Sequence, residues 1–325
     1  MFRAAAAPNW RKEQLQDDKQ SHHVEPHTPS TRPVVPSLAA ISAVFPAYVR
    51  THDTLRTLAR IKACDPMPVE IIVHVDGGNH SMVETLSREH PDVKVLFSRN
   101  HLGPGGARNL LVREAGQEWV ANFDDDSEPD NADYFARALH TASLFPDAAV
   151  ISAAGLEWEK NTPGFMRFAI FSGCGCVYRR EAFLKTNGYV PLRIAYCMEE
   201  VDLSLRLFDA GEIIVHDPDL RINHRKIAPL TASDEINAHV MANTALMPLL
   251  RYPFPLTPLA LFHLSIRAGQ MARHGLWKAL LQGVKMIPDY VARHWKHRAA
   301  VSTHSLIRWL LLRRNPHPLT APSQQ

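Results

Sequence analysis

The sequence predicts an α/β fold built on a mostly parallel, doubly wound sheet, and three observations predict it. From residue 38 to about 150, short apolar runs alternate with stretches of helical apolar spacing, the rhythm of βαβ units. Acidic residues stand where several of those runs stop, and open α/β sheets take their ligands at the carboxyl ends of strands. Beyond about residue 232 the strand signal ends and the pattern becomes helical and basic.

The elements follow in order. Residues 1–37 are rich in Pro, His, Gln and charge without an apolar period, so a disordered leader is expected there. Met1 to Ala7 is too short an apolar stretch for a secretory signal. Leu38 to Phe45 reads as the first strand, and Thr51 opens a helix whose apolar face is Leu55, Leu58, Ala59 and Ile61. Val69 to Val75 is the strongest strand and runs straight into Asp76-Gly77-Gly78-Asn79. A helix over 81–89 and a strand at Val93 to Phe97 come next, then a glycine-rich turn from Gly103 to Gly106 that enters another helix at Arg108.

The short apolar run Trp119-Val120-Ala121 delivers three carboxylates together, Asp124, Asp125 and Asp126. Crowded carboxylates raise one another's pKa unless a cation lies between them. Mg²⁺ and Mn²⁺ take oxygen ligands of this kind together with substrate phosphates. The competing reading is an acidic turn in which Asp126 or Ser127 caps the helix expected at 130–143. Asp76 carries the same pair of readings, a plain Asp-Gly turn or an acceptor for a nucleotide base or ribose. Arg108 lies where a guanidinium would pair with phosphate or base.

A strand at Ala149 to Ser152 and a loop at Thr162-Pro163-Gly164 follow the cluster. The small-residue segment Gly173-Cys174-Gly175-Cys176 then becomes strand-like. Its cysteines read as buried small apolar residues, and all four cysteines, Cys64, Cys174, Cys176 and Cys197, read as reduced thiols of a cytoplasmic protein. Glu199, Glu200 and Asp202 open a helix that stops at Gly211. First-turn acids suit the helix dipole, and a carboxylate beside an acceptor hydroxyl is what general-base chemistry requires. His224 ends the short run Leu220 to Arg225.

Net charge is +3, but it is divided between an acidic body and a basic tail. Residues 251–325 hold 11 Lys+Arg and one acid, Asp289, leaving 25 Lys+Arg against 32 Asp+Glu in the first 250. Phe254 to Ile266 is apolar but only 13 residues long and interrupted by Pro255 and Pro258, short of the ~20 a spanning helix needs. Trp277, Leu280, Leu281, Val284 and Met286 alternate with cations, and Ile307 to Arg314 repeats the theme. Two outcomes fit: helices lying on an anionic membrane surface, or a helical cap packed on the body. The body offers no basic groove to match the tail, so no nucleic-acid partner is expected.

Taken in order, these motifs resemble family 2 glycosyltransferases of the GT-A fold, over roughly Leu38 to Arg225. Val75-Asp76-Gly77-Gly78-Asn79 is similar to the family's acidic nucleotide-binding turn, and Gly103 to Asn109 to its glycine segment ending Ala-Arg-Asn. Phe123-Asp124-Asp125-Asp126 resembles the Asp-x-Asp motif, while Tyr178 to Phe183 and Asn187-Gly188-Tyr189 resemble the segment before the acceptor site. Glu199-Glu200-Val201-Asp202-Leu203 resembles the Glu-Asp-x-Asp-Leu motif of the catalytic base. Three positions depart from the pattern: Gly77 replaces a second Asp, His101 an Asn, and Glu200 the usual Asp base.

The resemblance implies a Rossmann-like GT-A catalytic domain over 38–228 and a basic helical region over 229–325. It implies an inverting transfer from a nucleotide diphosphate sugar to an acceptor hydroxyl of a saccharide or lipid-linked saccharide. A divalent cation, Mn²⁺ or Mg²⁺, would sit on Asp126, Asp124 and His224; Asp76, Arg108, Asp124 and Gly103 would hold the nucleotide. Glu200 would be the base, with Glu199 and Asp202 beside it, and Asp125 would be structural. The alternatives are a nucleotidyltransferase, whose glycine-rich basic signature Val44-Phe45-Pro46-Ala47-Tyr48 lacks, and a non-catalytic descendant, which would be expected to lose these acids.

Overall fold

β1 (Leu38–Ala47) and β2 (Met67–Val75) form the centre of a parallel layer, joined through α1 (Thr51–Lys62). The chain continues through α2 (His80–Glu89), β3 (Lys94–Phe97), α3 (Gly103–Glu114) and β4 (Trp119–Asn122), so that β3, β2, β1 and β4 lie side by side and parallel. β1 alternates its faces: Ala43 and Phe45 pack under α1, α2 and α4 (Tyr134–Leu144), whereas Val44 packs against α3. Both faces being covered explains why these strands read as continuous apolar runs. The structure, a computed structural model, describes residues 38–196, 198–225 and 233–321. The leader expected over 1–37 and the side chain of Cys197 lie outside the described residues.

The second half of the sheet is mixed rather than parallel. After β5 (Ser127–Pro129) and α4 come β6 (Ala148–Ala154), α5 (Glu157–Lys160), β7 (Met166–Phe168), β8 (Cys176–Arg179), α6 (Arg180–Lys185), α7 (Glu199–Asp209) and β9 (Ile213–His224). β8 enters antiparallel between β4 and β6, β9 runs parallel to β6, and both β7 and β5 pair antiparallel with β9. Strands inserted this way need no helical crossover, so the βαβ rhythm that announces β1 to β4 gives no sign of them. The expected short run at Leu220 to Arg225 is the last part of the twelve-residue β9.

The C-terminal region comprises α8 (Asp234–Arg251), α9 (Thr257–Arg273), α10 (Trp277–His294), α11 (Thr303–Arg314) and the edge strand β10 (His317–Pro318), which pairs with β7. α8 and α11 pack on the sheet domain: Leu246, Leu250, Leu306 and Trp309 share one core with Ala169, Val190 and Leu205. Trp309 also donates its indole N–H to the Ala169 carbonyl at 2.8 Å. All described residues therefore belong to one compact unit. α9 and α10 form an outer layer on α8, meeting it through Met241, Met271, Ala279 and Leu280. Among the described residues no helix is long and apolar enough to cross a membrane.

Candidate active site

The parallel strands β1, β2 and β4 end at one edge, and each contributes to a crevice there. Two antiparallel registers complete it. β4 faces β8 with Asn122 opposite Cys176; carried two residues past the strands, that register sets Cys174 opposite Asp124. Asn122 fixes the turn, donating to the Gly173 carbonyl at 2.6 Å and accepting from Gly175 N–H at 2.7 Å. β5 faces β9 with Ser127 opposite His224, and Arg225 N–H donates to the Asp126 carbonyl at 3.2 Å.

The result is a cluster of Asp124, Cys174 and His224 whose ligand atoms all lie within 4.8 Å of one another. Asp126 adjoins it, its Oδ1 3.3 Å from His224 Nε2, and Cys174 Sγ lies 3.3 Å from His224 Nδ1. Burial opposes a charge on His224, yet its hydrogen bonds to Asp126 and Cys174 push its pKa up to about 10. Burial likewise opposes ionisation of Asp126, but the hydrogen bond to His224 and the charge of Arg50 hold its carboxyl well below the usual range. Two carboxylates, an imidazole and a thiol fit a divalent cation, with a softer donor than an all-oxygen set provides.

Sequence reasoning missed two members of this site. Cys174 was expected to be a small apolar filler; it is buried, but its sulfur points into the cluster. Only the β4/β8 register reveals that placement. Arg50, just past β1, forms a bidentate pair with Asp125 and donates to Asp126 Oδ2 at 2.6 Å. Asp125, whose backbone carbonyl also accepts from Thr57 at 3.1 Å, thus holds the turn in place.

At the nucleotide end, the structure gives Asp76 a more internal role than the sequence assigns. It is buried and accepts from Leu102 N–H at 2.9 Å and Gly103 N–H at 3.1 Å, with His101 Nδ1 at 2.8 Å. Asp76 therefore caps the N-terminus of α3, whose free N–H groups would otherwise draw an anion. Gly103 adopts φ +75° and presses on the Leu192 backbone, leaving no room for a Cβ; it shapes the turn rather than cradling a ligand. Tyr48 covers this corner, its ring 4.5 Å from that of His101.

Arg108 is a second correction. It is buried, and its terminal nitrogens are taken by Asp124 and by Glu199 Oε2 at 2.6 Å, so it joins the two acidic motifs instead of reaching for phosphate. Burial pushes the Glu199 carboxyl up to about 8, against the pull of the Arg108 guanidinium. Glu199 is thus committed to Arg108. Asp202 is committed too, and its expected catalytic place is corrected: Arg251 Nε donates to Oδ1 at 2.5 Å and Arg206 Nη2 to Oδ2 at 2.7 Å. Those arginines also bind the carbonyls of Thr186, Gly188 and His297, tying α7 to α8 and to the loops on either side.

Glu200 remains. It is partly exposed and lies over Gly173, where an added Cβ would sit 3.0 Å from its Cδ. The glycine is needed for this approach, and it places the Glu200 carboxylate next to the turn that carries Cys174. Among the described residues no guanidinium pairs with Glu200, whose carboxylate stands beside the turn that leads into the candidate metal cluster.

Comparison with known proteins agrees with this fold. Residues 42–155 match the family described as glycosyl transferase family 2. The N-acetylglucosaminyl-diphospho-decaprenol L-rhamnosyltransferase of Mycobacterium tuberculosis is 25% identical over 219 residues, 53% of this chain and 71% of that protein. A mannosyltransferase from Pyrobaculum calidifontis, solved with GDP-Man and Mn²⁺, superposes with a TM-score of 0.52 at 16% identity, covering 87% of this chain and 90% of that one. GalNAc-T7, solved with UDP, GalNAc and Mn²⁺, gives a TM-score of 0.52 at 15% identity, covering 67% and 49%. The structural likenesses establish a GT-A-like fold. The family match spans the parallel strands and the acidic turn, so residues 42–155 are similar to family 2 glycosyltransferases.

Proposed function

We propose that this chain performs an inverting transfer from a nucleotide diphosphate sugar to the hydroxyl of a lipid-linked saccharide. The observation that carries the reading is the position of Glu200, without an arginine partner among the described residues, against Gly173 in the turn that carries Cys174 of the Asp124–Cys174–His224 cluster. Asp124, Asp126 and His224 would hold Mn²⁺ or Mg²⁺, with Cys174 beside them. The cation, when bound, supplies positive charge for the leaving diphosphate.

The chain's own residues do the rest. Glu200 accepts the acceptor proton as that oxygen attacks the anomeric carbon, and the bond from that carbon to the diphosphate oxygen breaks on the opposite face. Glu has one methylene more than the Asp common in the family, and Gly173 supplies the space for that extra length. Arg108 bridges Asp124 and Glu199 and holds the two carboxylates in position. Tyr48, His101 and the turn at Asp76 border the end assigned to the nucleotide base. The lipid-linked acceptor is favoured by the rhamnosyltransferase likeness, whose acceptor is a polyprenyl diphosphate saccharide by name. We place the reaction on the cytoplasmic side of a membrane, where Cys64, Cys174 and Cys176 stay free thiols.

A screen of nucleotide sugars for thermal stabilisation, run with Mn²⁺, with Mg²⁺ and with chelator, tests the reading. One donor should raise the melting temperature only when a cation is present. Equal stabilisation in chelator, or none by any nucleotide sugar, would reject the metal-dependent donor site.

A further inference from the structure

The outward faces of α9 and α10 carry large apolar side chains that the fold leaves in water. Leu261, Phe262, Trp277 and Leu281 are 58–62% exposed. On α10 the positions 277, 281 and 284 recur at helical spacing, a stripe of Trp277, Leu281 and Val284. Soluble surfaces carry single exposed apolar residues commonly, but a stripe of them along one helix marks an interaction face. Exposed cations flank the stripe: Lys278, which also lies 3.6 Å from Asp234 of α8, and Lys285 on α10, and Arg273 at the end of α9. Within residues 251–321 the single acid is Asp289, and it is paired with Arg293 at 2.7 Å.

We propose that the α9–α10 hairpin docks on an anionic lipid bilayer, with Trp277, Leu281 and Phe262 entering the headgroup boundary and Lys278, Lys285 and Arg273 meeting lipid phosphates. Charge selects the occupant. A second copy of the chain would bring this cationic face against itself, and a polyanion without acyl chains would leave the exposed Phe, Trp and Leu side chains in water. Helices with a basic margin and Trp or Phe on the apolar face lie in membrane interfaces. The hairpin is also fixed to the catalytic machinery. α10 meets α8 at Gly283, where an added Cβ would collide with the Ala238 carbonyl and Met241. The other side of α8 sends Asn243 to the Ile194 and Tyr196 carbonyls and Arg251 to Asp202, the segments that lead into and through α7. A bilayer under α9 and α10 therefore sets the height at which Glu200 meets an acceptor. The docking face itself stands on the exposed side chains and does not depend on the sugar-transfer reading.

Flotation of the purified full chain with vesicles tests this. The wild type should float with vesicles of phosphatidylcholine and phosphatidylglycerol and stay at the bottom with phosphatidylcholine alone. K278E/K285E should weaken binding to the anionic vesicles by roughly thirtyfold, about a fivefold loss for each cation removed. F262S/L281S should lose vesicle binding while keeping wild-type circular dichroism and the same donor-induced thermal shift, which separates loss of this face from failure of the donor site. No flotation of the wild type, or equal flotation of all three proteins, overturns the proposal. So does a dimer in sedimentation velocity that F262S/L281S abolishes, since the face would then belong to a second copy.

Discussion

Asp124-Asp125-Asp126 and Glu199-Glu200-Asp202 are two acidic triplets of equal size, and arginines divide the labour within each. In the first, Arg50 takes Asp125 in a bidentate pair and also reaches Asp126, while Arg108 reaches Asp124; both of these acids border His224 at the candidate cation cluster. In the second, Arg251 and Arg206 take Asp202, Arg108 takes Glu199, and Glu200 is left facing the crevice. Apart from Arg206, four residues on in the same helix, these guanidiniums come from elements far away in sequence. Arg108 reaches both triplets, so the two are electrostatically one assembly.

The comparison can be broken at its most consequential point first. D126A should remove cation-dependent donor binding and lower turnover by about a thousandfold or more, measured by transfer with the donor found in the stabilisation screen; retained activity would move the cation elsewhere. E200Q should bind donor as the wild type does and lose about 10²–10⁴ in kcat, whereas E199Q should disturb both donor affinity and stability because it leaves Arg108 to Asp124 alone. Equal kinetic behaviour of the two variants would erase the distinction drawn between them.

D202N should leave buried guanidiniums uncompensated and cost about 3–5 kcal/mol in denaturant unfolding. Burial works against the charge on Asp202, but Arg206 and Arg251 hold its pKa below the ordinary value of 3.8. Its contribution is therefore complete above about pH 4 and is lost as pH falls toward the depressed folded value; the acid limb of the wild-type stability curve should flatten in D202N. The pKa of His224, raised to about 10, has the opposite sign. A cation must displace that proton, so Mn²⁺ affinity should rise with pH by up to about tenfold per unit below 10, read by calorimetry in buffers of different ionisation enthalpy. The smallest effect belongs to C174S: a preference shift of within about tenfold among Mn²⁺, Mg²⁺ and Zn²⁺, away from the softer ion.

The parallel half of the fold was legible because β1, β2 and β4 are buried on both faces and joined by helices, which leaves apolar runs at regular spacing. Asp76, the Asp124–Asp126 turn and the helix start at Glu199 could be placed at element ends for the same reason. Cys174 could not, because only the antiparallel insertion of β8 sets it opposite Asp124. Arg50 follows β1 without any local pattern, and its partners are 75 and 76 residues away. The roles of Asp76, Arg108 and Asp202 were hidden likewise: a carboxylate or guanidinium in a motif looks the same whether it waits for a ligand or already holds the chain together. In the tail, the helical spacing marked apolar faces, but which of them would be covered depended on α8 and α11 reaching the sheet first.

The cap that Asp76 places on α3 has a consequence for the order of events. With the positive end of that helix already satisfied, the crevice contains Asp76, Asp124, Asp125, Asp126, Glu199 and Glu200 against Arg50, Arg108 and His224. Such a cavity repels a diphosphate arriving alone. The donor and its cation should enter as one neutralised unit, making metal availability a gate on substrate entry as well as on the reaction that follows.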